Sequence, residues 1–204
     1  MDINRFLYLL LWIAIGYLFG SFPTGYLIGR IKGIDLTKIG SGSTGATNVL
    51  RNIGKGPALI TLIVDALKGF LPVYFAIKLQ SCTFLVAMVA IFCIIGHSKS
   101  IFLGFKGGKS SAVGLGILIA LSWKVALITF LLWVSIVGIS KYSSLGSIIA
   151  VPLVPLWMYF FHKPVLYIAL TIFAAVYIVL IRHRENIQRL IKGTESKIGQ
   201  KSDT

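Results

Sequence analysis

A polar, glycine-rich stretch stands out in an otherwise apolar chain, and it reads Gly40-Ser-Gly-Ser-Thr-Gly-Ala-Thr-Asn-Val-Leu-Arg51. Three glycines within six residues leave the backbone free to adopt positive φ and to turn its N–H groups toward one point. Ser41, Ser43 and Asn48 add side-chain donors, and Arg51 adds a planar guanidinium that suits a phosphate. The stretch therefore predicts an anion-binding loop.

A second polar loop runs from Gly96 to Ser110 and contains Lys106-Gly107-Gly108-Lys109. A flexible backbone beside two lysines predicts a second anion-binding loop. The letters Gly-Lys-Ser invite comparison with the nucleotide-binding phosphate loop. That motif needs a glycine five residues before Gly108, where Leu103 stands, and we reject the comparison.

The spacing Gly40-x-Gly42-x-x-Gly45 also matches the dinucleotide-binding fingerprint, with Asp65 twenty residues after the last of these glycines. That fingerprint works only between a buried strand and a helix. Here an apolar, membrane-length segment precedes it, and Asp65 lies inside the next such segment. We therefore interpret the match as coincidental.

Two pairs of polar residues lie at helical spacing. Asp65 and Lys68 stand at i, i+3 within an apolar segment, where charges are costly and are usually paired or face a polar cavity. A structural ion pair and a direct substrate role both fit, and we interpret them as a pair that organises the site. His183 and Asn186 stand at i, i+3 after the last apolar segment, so His183 could be a base, a hydrogen-bond donor or merely solvated. Ser144, in a short serine-rich turn, is a weaker candidate.

Absent residue patterns narrow the chemistry. The His-x4-Asp dyad of many glycerolipid acyltransferases is missing, since Phe102, Tyr167 and Gln188 follow the three histidines at that distance. Neither cysteine neighbours a basic loop, and no His, Cys or carboxylate cluster has metal-ligand spacing. We therefore expect no metal and no cofactor. A site that has cations and oriented hydrogen-bond donors but no strong base suits a substrate that is already chemically activated.

The composition indicates a polytopic, all-α integral membrane protein. Of 204 residues 56% are hydrophobic, with a mean hydropathy of +0.88, which is too apolar for a soluble domain. The net charge of +14 could suggest nucleic acid, but in a membrane protein it is better explained by cations retained beside anionic lipids. We expect membrane lipids and no nucleic acid as partners.

About seven transmembrane helices are expected. The apolar segments are 6–28, 58–77, 82–95, 108–121, 125–139, 145–161 and 165–181. Since a perpendicular helix needs about 20 residues to cross, whether 82–95 and 108–121 span fully stays open. Residues 1–181 would form the membrane domain with polar loops 29–57 and 96–109, and residues 182–204 a basic cytoplasmic segment.

The distribution of lysine and arginine predicts the orientation. With the N-terminus outside, fifteen cations fall on the cytoplasmic side and four outside, while Lys68 lies within a segment. This bias favours an outside N-terminus and a cytoplasmic C-terminus. Both long polar loops would then face the cytoplasm with the tail, and any chemistry would occur at that membrane surface.

Three of these stretches together resemble the cytoplasmic motifs of the bacterial acyl-phosphate:glycerol-3-phosphate acyltransferases, the PlsY family. They are Gly40–Arg51, Gly96-His97 through Lys109, and Arg182-His183-Arg184-Glu185-Asn186 through Glu195. The resemblance covers nearly the whole chain, and three motifs in order make it specific. One departure is that Ser110-Ser111 follows Lys109 where the family usually has Gly-Val.

The resemblance implies an enzyme of the bacterial inner membrane that catalyses the first committed step of phospholipid synthesis. It would move a fatty acyl group from acyl phosphate to the sn-1 hydroxyl of glycerol 3-phosphate, giving lysophosphatidic acid and phosphate. A seven-helix fold, no metal and no use of acyl-CoA are also implied, and we expect a functional monomer.

Residue roles follow as hypotheses from the motifs and the resemblance together. Ser41, Ser43, Asn48 and Arg51 would hold one phosphate. Gly107, Gly108 and Lys109, with Lys106 nearby, would hold that of glycerol 3-phosphate, and Ser144 is a further phosphate ligand. His183 and Asn186 would orient the attacking hydroxyl, with either His183 or a substrate phosphate oxygen taking the proton. His97 and Glu195 would organise the site.

The alternative from another functional class is a transporter of small organophosphates. Basic loops and several spans would suit it. Against it, only Asp65 and Lys68 lie at membrane depth, no inverted repeat is detectable, and the cations crowd one surface.

Overall fold

The computed structural model describes residues 2–79 and 81–200, and the regular secondary structure in that part of the chain is helical. Its helices are α1 (Ile3–Ser21), α2 (Thr24–Ile31), α3 (Ala46–Asn52), α4 (Lys55–Lys78), α5 (Thr83–Ser98), α6 (Ser111–Leu121), α7 (Trp123–Ser140), α8 (Ser143–Ala150), α9 (Val154–Phe160), α10 (Val165–Val176) and α11 (Arg184–Ile191). Lys201, one of the fifteen cations counted above, lies outside the described residues.

Five stretches of the described chain are long and apolar enough to cross a membrane. They are Ile3–Ile31, Lys55–Lys78, Trp123–Ser140, Ser143–Phe160 and Val165–Arg182. The two segments whose length left crossing open form the shorter apolar helices α5 and α6. The all-α membrane fold is thus confirmed, while the number of crossings and the orientation stay predictions.

Prolines divide two of the expected segments. The first segment breaks at Pro23, because proline lacks the N–H that would continue the ladder of α1, and the chain begins the short helix α2. The segment expected at 145–161 breaks into α8, a 3₁₀ turn at Val151–Leu153 that contains Pro152, and α9. At the end of the last apolar segment, α10 continues into a π-helical turn at Tyr177–Arg182, and such turns frequently mark functional sites.

The loop at 29–57 and the tail each contain a helix. α3 lies inside the first polar loop, and Arg51 is in its last turn. The hydrophobic spacing of Ile187, Leu190 and Ile191 predicts a helix that ends near Gly193, and α11 confirms it. Gly193 has φ +70°, a left-handed conformation that suits glycine at a helix end.

Close helix packing depends on small residues. α4 packs along α6, and a Cβ atom on Gly116 would collide with backbone atoms of Ala66, while a Cβ atom on Gly69 would collide with those of Val113. Such reciprocal contacts let two helix backbones approach inside a membrane, where small residues enrich helix interfaces. α4 carries Asp65 and α6 follows Lys109, so this contact also fixes two sides of the site.

Replacing Gly116 by Ala should destabilise the protein because the new methyl group has no room against the α4 backbone. We expect a loss of about 1–3 kcal/mol in unfolding free energy, the usual cost of overpacking. Thermal unfolding in detergent micelles would measure it. Gly138→Ala is the matched control, since a Cβ at that helical glycine meets nothing within 4 Å. Equal midpoints for the two variants would contradict this account of the contact between α4 and α6.

Candidate active site

A cavity of about 400 Å³ lies at the end of the bundle where both polar loops meet the tail. Its walls come from the first polar loop with α3, from α4 through α11, and from the tail. One part is lined by polar side chains. The remainder is apolar, lined by residues such as Leu115, Leu118, Val154 and Leu170. A cavity with a polar end and an apolar arm suits an amphiphilic ligand.

Most of the expected site residues line this cavity. Those that do are Ser41, Ser43, Asn48, Arg51, Asp65, His97, Lys109, Ser144, His183, Asn186 and Glu195. Four expected residues are not in its wall in the part of the chain that the structure describes, namely Lys68, Lys106, Gly107 and Gly108. Most residues predicted from the sequence thus lie in the cavity wall. The exceptions include three residues of the second loop, which lie farther from the cavity than predicted.

Asn48 organises the first loop from within. Its buried amide donates to the carbonyl oxygens of Leu36 (3.2 Å), Ile39 (3.2 Å) and Ser43 (2.9 Å). Its oxygen accepts from the backbone N–H of Ser41 at 3.3 Å. Since the amide donors of Asn48 are used by backbone carbonyls, none is left for a ligand. Asn48 therefore shapes the loop, and the expectation that it binds phosphate directly is not met.

The glycine at position 40 is required by Asn48. Gly40 has φ +57°, and a Cβ there would collide with the Oδ1 atom of Asn48. Gly42, two residues on, also has a left-handed backbone, at φ +63°. These glycines therefore let the chain wrap around one amide, which then points Ser41 and Ser43 into the cavity wall.

Arg51 presents a donor that no described protein group satisfies. One guanidinium nitrogen donates to the carbonyl oxygen of Ser196 at 2.5 Å, while the buried Nε has no hydrogen-bond partner in the described structure. Burial lowers the pKa of Arg51, but an arginine remains charged at neutral pH. A buried, charged donor without a partner beside a cavity is a candidate anion ligand.

Glu195 joins three elements at the polar end. Its Oε1 accepts from Ser144 of α8 (2.8 Å) and from Asn186 of α11 (2.7 Å), and its Oε2 accepts from Nε of Arg189 (2.7 Å). Burial alone would raise the pKa of Glu195, but hydrogen bonds from Arg189, Ser144 and Asn186 hold that pKa below its usual value. The carboxylate is therefore ionised and connects α8 with α11, which is compatible with the organising role expected for Glu195.

Lys109 is held by Asn186, whose amide nitrogen donates to Glu195. The Nζ atom donates to Oδ1 of Asn186 at 2.5 Å. Burial, followed by the nearby charge of Arg189, lowers the pKa of Lys109 to about 8. Lys109 is thus mostly cationic at pH 7 but close to its titration, which makes its charge sensitive to pH and to a bound anion.

His183 is buried and uncharged at neutral pH. Its Nδ1 lies 2.8 Å from the carbonyl oxygen of Ile178, and because a carbonyl only accepts, we assign the ring hydrogen to Nδ1. Burial lowers the pKa of His183 to about 4. Nε2 therefore carries a free lone pair, which can accept a hydrogen bond from a substrate hydroxyl.

A buried ion pair borders the cavity on the α4 side. Lys68 Nζ lies 2.5 Å from Oδ1 of Asp65 and also donates to the carbonyl oxygen of Phe22 at 2.5 Å. His97 Nδ1 lies 4.0 Å from the same carboxylate. Asp65 and His97 line the cavity and Lys68 stands behind them, which supports the interpretation of Asp65 and Lys68 as an organising pair.

Gly107 and Gly108 pack against His97. A Cβ on Gly107 would collide with the carbonyl oxygen of His97, and a Cβ on Gly108 with its imidazole ring. The Gly108 N–H donates to the His97 carbonyl at 3.0 Å, and Arg182 donates to the Gly108 carbonyl at 2.9 Å. The glycines thus allow the close approach that positions Lys109.

Lys106 lies at the base of a small closed turn and is exposed. Its carbonyl accepts from the backbone N–H of Ser100 at 3.2 Å, and the Ser100 hydroxyl donates to the carbonyl of Ser21 at 2.6 Å. The turn is therefore fixed to the end of α1. The charge of Lys106 lies on the surface and not in the cavity wall.

Sequence reasoning missed several residues of the site. Ser111 lines the cavity with a buried hydroxyl that has no partner in the described structure, and Trp133 borders the cavity from α7. The motif containing Arg182 and Arg189 was noted, but their roles against the second loop and Glu195 were not. Only their positions in a cation-rich motif could have indicated them, because the partners are distant in sequence.

The described residues contain no group of three or more His, Cys, Asp or Glu side chains arranged to hold a metal ion. The polar end instead combines cations, an ionised carboxylate and a neutral imidazole. Such a set can bind phosphate, orient a hydroxyl and stabilise developing charge.

Comparison with known proteins agrees with this chemistry. The family model described as glycerol-3-phosphate acyltransferase matches residues 10–193. A glycerol-3-phosphate acyltransferase of Nostoc sp. is 47% identical over 207 residues, covering 93% of this chain and 91% of the relative. One from Synechococcus sp. (strain JA-3-3Ab) is 50% identical over 187 residues, covering 91% of each.

Two solved structures share the fold. Both are crystal structures of PlsY (YgiH), described as an integral membrane glycerol 3-phosphate acyltransferase. The glycerol 3-phosphate form is 38% identical with a TM-score of 0.90, over 94% of this chain and 96% of that one. The lysophosphatidic acid form is 38% identical with a TM-score of 0.87, over 94% and 95%. Sequence and fold both place the chain in the glycerol-3-phosphate acyltransferase family of integral membrane enzymes.

Proposed function

We propose that this enzyme transfers a fatty acyl group from acyl phosphate to the sn-1 hydroxyl of glycerol 3-phosphate. The hydroxyl oxygen forms a bond to the acyl carbonyl carbon, and the bond from that carbon to the phosphate oxygen breaks. Phosphate leaves with the electron pair. The products are lysophosphatidic acid and inorganic phosphate, and the hydroxyl proton passes to an acceptor in the site.

The observation that carries the proposal is the union of a cationic polar end and an apolar arm in one cavity. An acyl phosphate has the same division, with an anionic head and a hydrophobic chain. Glycerol 3-phosphate needs only the polar end. The forms in which the related PlsY was crystallised name glycerol 3-phosphate and a lysolipid, which supports this pairing of substrates.

The charge of the site favours a phosphorylated donor. Two phosphate groups close together repel each other, and Arg51 and Lys109 would offset that repulsion. An acyl phosphate is a mixed anhydride with a good leaving group, so positioning and electrostatic stabilisation can supply most of the catalysis. A strong base or an enzyme nucleophile is then unnecessary.

We assign the first loop and the second loop to different phosphates. Ser41, Ser43 and Arg51 would hold one, in a loop shaped by Asn48. Lys109 would hold the phosphate of glycerol 3-phosphate, with Ser144 and Asn186 beside it. Gly107 and Gly108 would shape the loop that carries Lys109, while Lys106 would contribute charge from the surface.

His183 would orient the attacking hydroxyl and not remove its proton. Its Nε2 is the free acceptor, since Nδ1 is committed to Ile178. A pKa of about 4 makes the imidazole a weak base at neutral pH. A phosphate oxygen, with a second pKa near 6, is the better proton acceptor, so we propose that a substrate phosphate takes it.

The proposed location is the bacterial inner membrane, with the N-terminus outside and the site open to the cytoplasm. The support is the excess of fifteen cations over four on the side that carries the site. The acyl chain would stay among the helices while glycerol 3-phosphate arrives from water. A functional monomer is part of this proposal.

Phosphate release by the purified protein in lipid tests the reaction and the donor together. We expect release from palmitoyl phosphate that depends on glycerol 3-phosphate, with a lysolipid product, and no reaction with palmitoyl-CoA. Activity with the CoA ester alone would retain the acyltransferase and overturn the donor. If neither donor gives phosphate release, the transporter is favoured, and a liposome uptake assay would test it.

The pH profile of kcat/KM for glycerol 3-phosphate should show the loss of the positive charge on Lys109. Because its pKa lies at about 8, the cation is lost as pH rises through that value, and kcat/KM should fall above it. The substrate phosphate, with a second pKa near 6, is already dianionic there. Lys109→Arg is the matched control, because arginine keeps its charge and should move the decline beyond pH 9 or so. If kcat/KM of the Lys109→Arg variant falls over the same pH range as that of wild type, the prediction that Lys109 binds the phosphate is wrong.

His183→Ala should lower kcat by about 10- to 100-fold, below the 10²- to 10⁴-fold range that spans general-base effects. The loss should be the same from pH 6 to 8, because His183 is neutral throughout. His183→Gln offers a hydrogen-bond acceptor without a titrating group and should recover part of the rate. Complete loss of activity in both variants at every pH would instead make His183 the base, because an acceptor without a titrating group would then not replace it.

A further inference from the structure

The cavity has an exposed wall on one side of the bundle. Of the described lining residues, those with exposed side chains are Lys55 and Leu59 of α4 and Phe130 of α7. Leu59 is 57% exposed and Phe130 is 38% exposed, although both border the cavity. On membrane-spanning helices such side chains face lipid, so the cavity approaches the bilayer between α4 and α7.

Residues at matching depth form this side of the cavity. Leu62 stands seven residues after the start of α4, and Trp133 stands seven residues before the end of α7. Both helices have these ends at the site, and both positions therefore lie about 10 Å from it along the helix axes. Leu62 and Trp133 border the same cavity at that depth.

Trp133 is held in place at this wall. Its indole N–H donates to the hydroxyl of Ser147 at 3.3 Å, and its ring stacks on Phe130 with centroids 6.3 Å apart and planes at 16°. A Cβ on Gly146 would lie 2.8 Å from the indole, so the glycine allows the ring to lie against α8. A half-buried aromatic side chain thus stands between the cavity and the lipid face.

The opposite end of the apolar arm is closed. Val154 and Leu170 line the arm and are buried, and they belong to the same packed core as the fully buried Met158. A chain that fills the arm cannot continue in that direction. The side between α4 and α7 is the route on which the wall carries exposed apolar residues.

We propose that the slot between Leu59 and Leu62 of α4 and Phe130 and Trp133 of α7 is a lateral portal for acyl chains. The long-chain donor enters through it from the bilayer, and the lysolipid product leaves by it. Trp133 limits the width of the portal and thereby selects among chains by their bulk. The proposal builds on the proposed acyl transfer, but its position can be tested independently of turnover.

Photolabelling tests the position without catalysis. A long-chain lysophosphatidic acid with a diazirine near the middle of its chain would be irradiated with the enzyme in lipid nanodiscs, and labelled peptides mapped. We expect label on residues 55–66 of α4 and 126–140 of α7, suppressed by unlabelled lysophosphatidic acid. Competed label on α1 or α5 instead would overturn the portal.

Kinetics test the role of Trp133. The measured quantity is the ratio of kcat/KM for a branched long-chain acyl phosphate to that for the straight chain of equal carbon number. Trp133→Ala should raise this ratio about tenfold, in the range that small changes in an apolar pocket produce. Trp133→Phe should give an intermediate ratio and guards against a folding defect in the first variant.

The matched control is Leu131→Ala, an exposed position on α7 that does not line the cavity, and its ratio should equal that of wild type. An unchanged ratio in both Trp133 variants would overturn the selective role. If label maps to α4 and α7 while no acyl phosphate reacts with wild type, the portal stands and the proposed donor fails. If wild type turns over acyl phosphate while competed label maps elsewhere, the reaction stands and the portal fails.

Discussion

The carboxylate of Glu195 is the interaction on which the polar end of the cavity depends. It accepts hydrogen bonds from α8, from α11 and from Arg189, and through Asn186 it fixes the ammonium group of Lys109. A buried charge of this kind is tolerated only because each oxygen is satisfied. Removing it would leave several donors unpaired at once, so binding geometry and local stability are coupled there.

The two cations proposed to bind phosphate, Arg51 and Lys109, are half-buried and therefore partly removed from water. Arg51 keeps an unpartnered donor, and Lys109 has a lowered pKa, so both lack part of the solvation that water would provide. Under the proposed function, an arriving phosphate would replace that missing solvation, which would strengthen binding in a low-dielectric site. The proposed anion-binding loops would therefore attract a phosphate because their cations are incompletely solvated, and not only because positive charges lie close together.

The membrane shapes the same cavity from the other direction. Close contacts at Gly69 and Gly116 bring α4 and α6 together on one wall, whereas α4 and α7 leave exposed apolar side chains on another. The cavity thereby has a polar end and, on one side, the exposed apolar wall that we propose as the lipid portal. This arrangement suits an enzyme whose two substrates arrive from different phases.

The sequence determined the helical membrane class and the positions of both polar loops, because hydropathy and glycine spacing can be read from neighbouring residues without knowing the fold. Its motifs also singled out Arg51, Lys109, His183 and Glu195, which all line the same cavity. Only the tertiary structure decided that Asn48 faces inward, that Gly107 and Gly108 accommodate His97, and that Trp133 borders the cavity. Those roles depend on contacts between residues far apart in the chain, such as Ser144 with Glu195, and no local pattern encodes the partner.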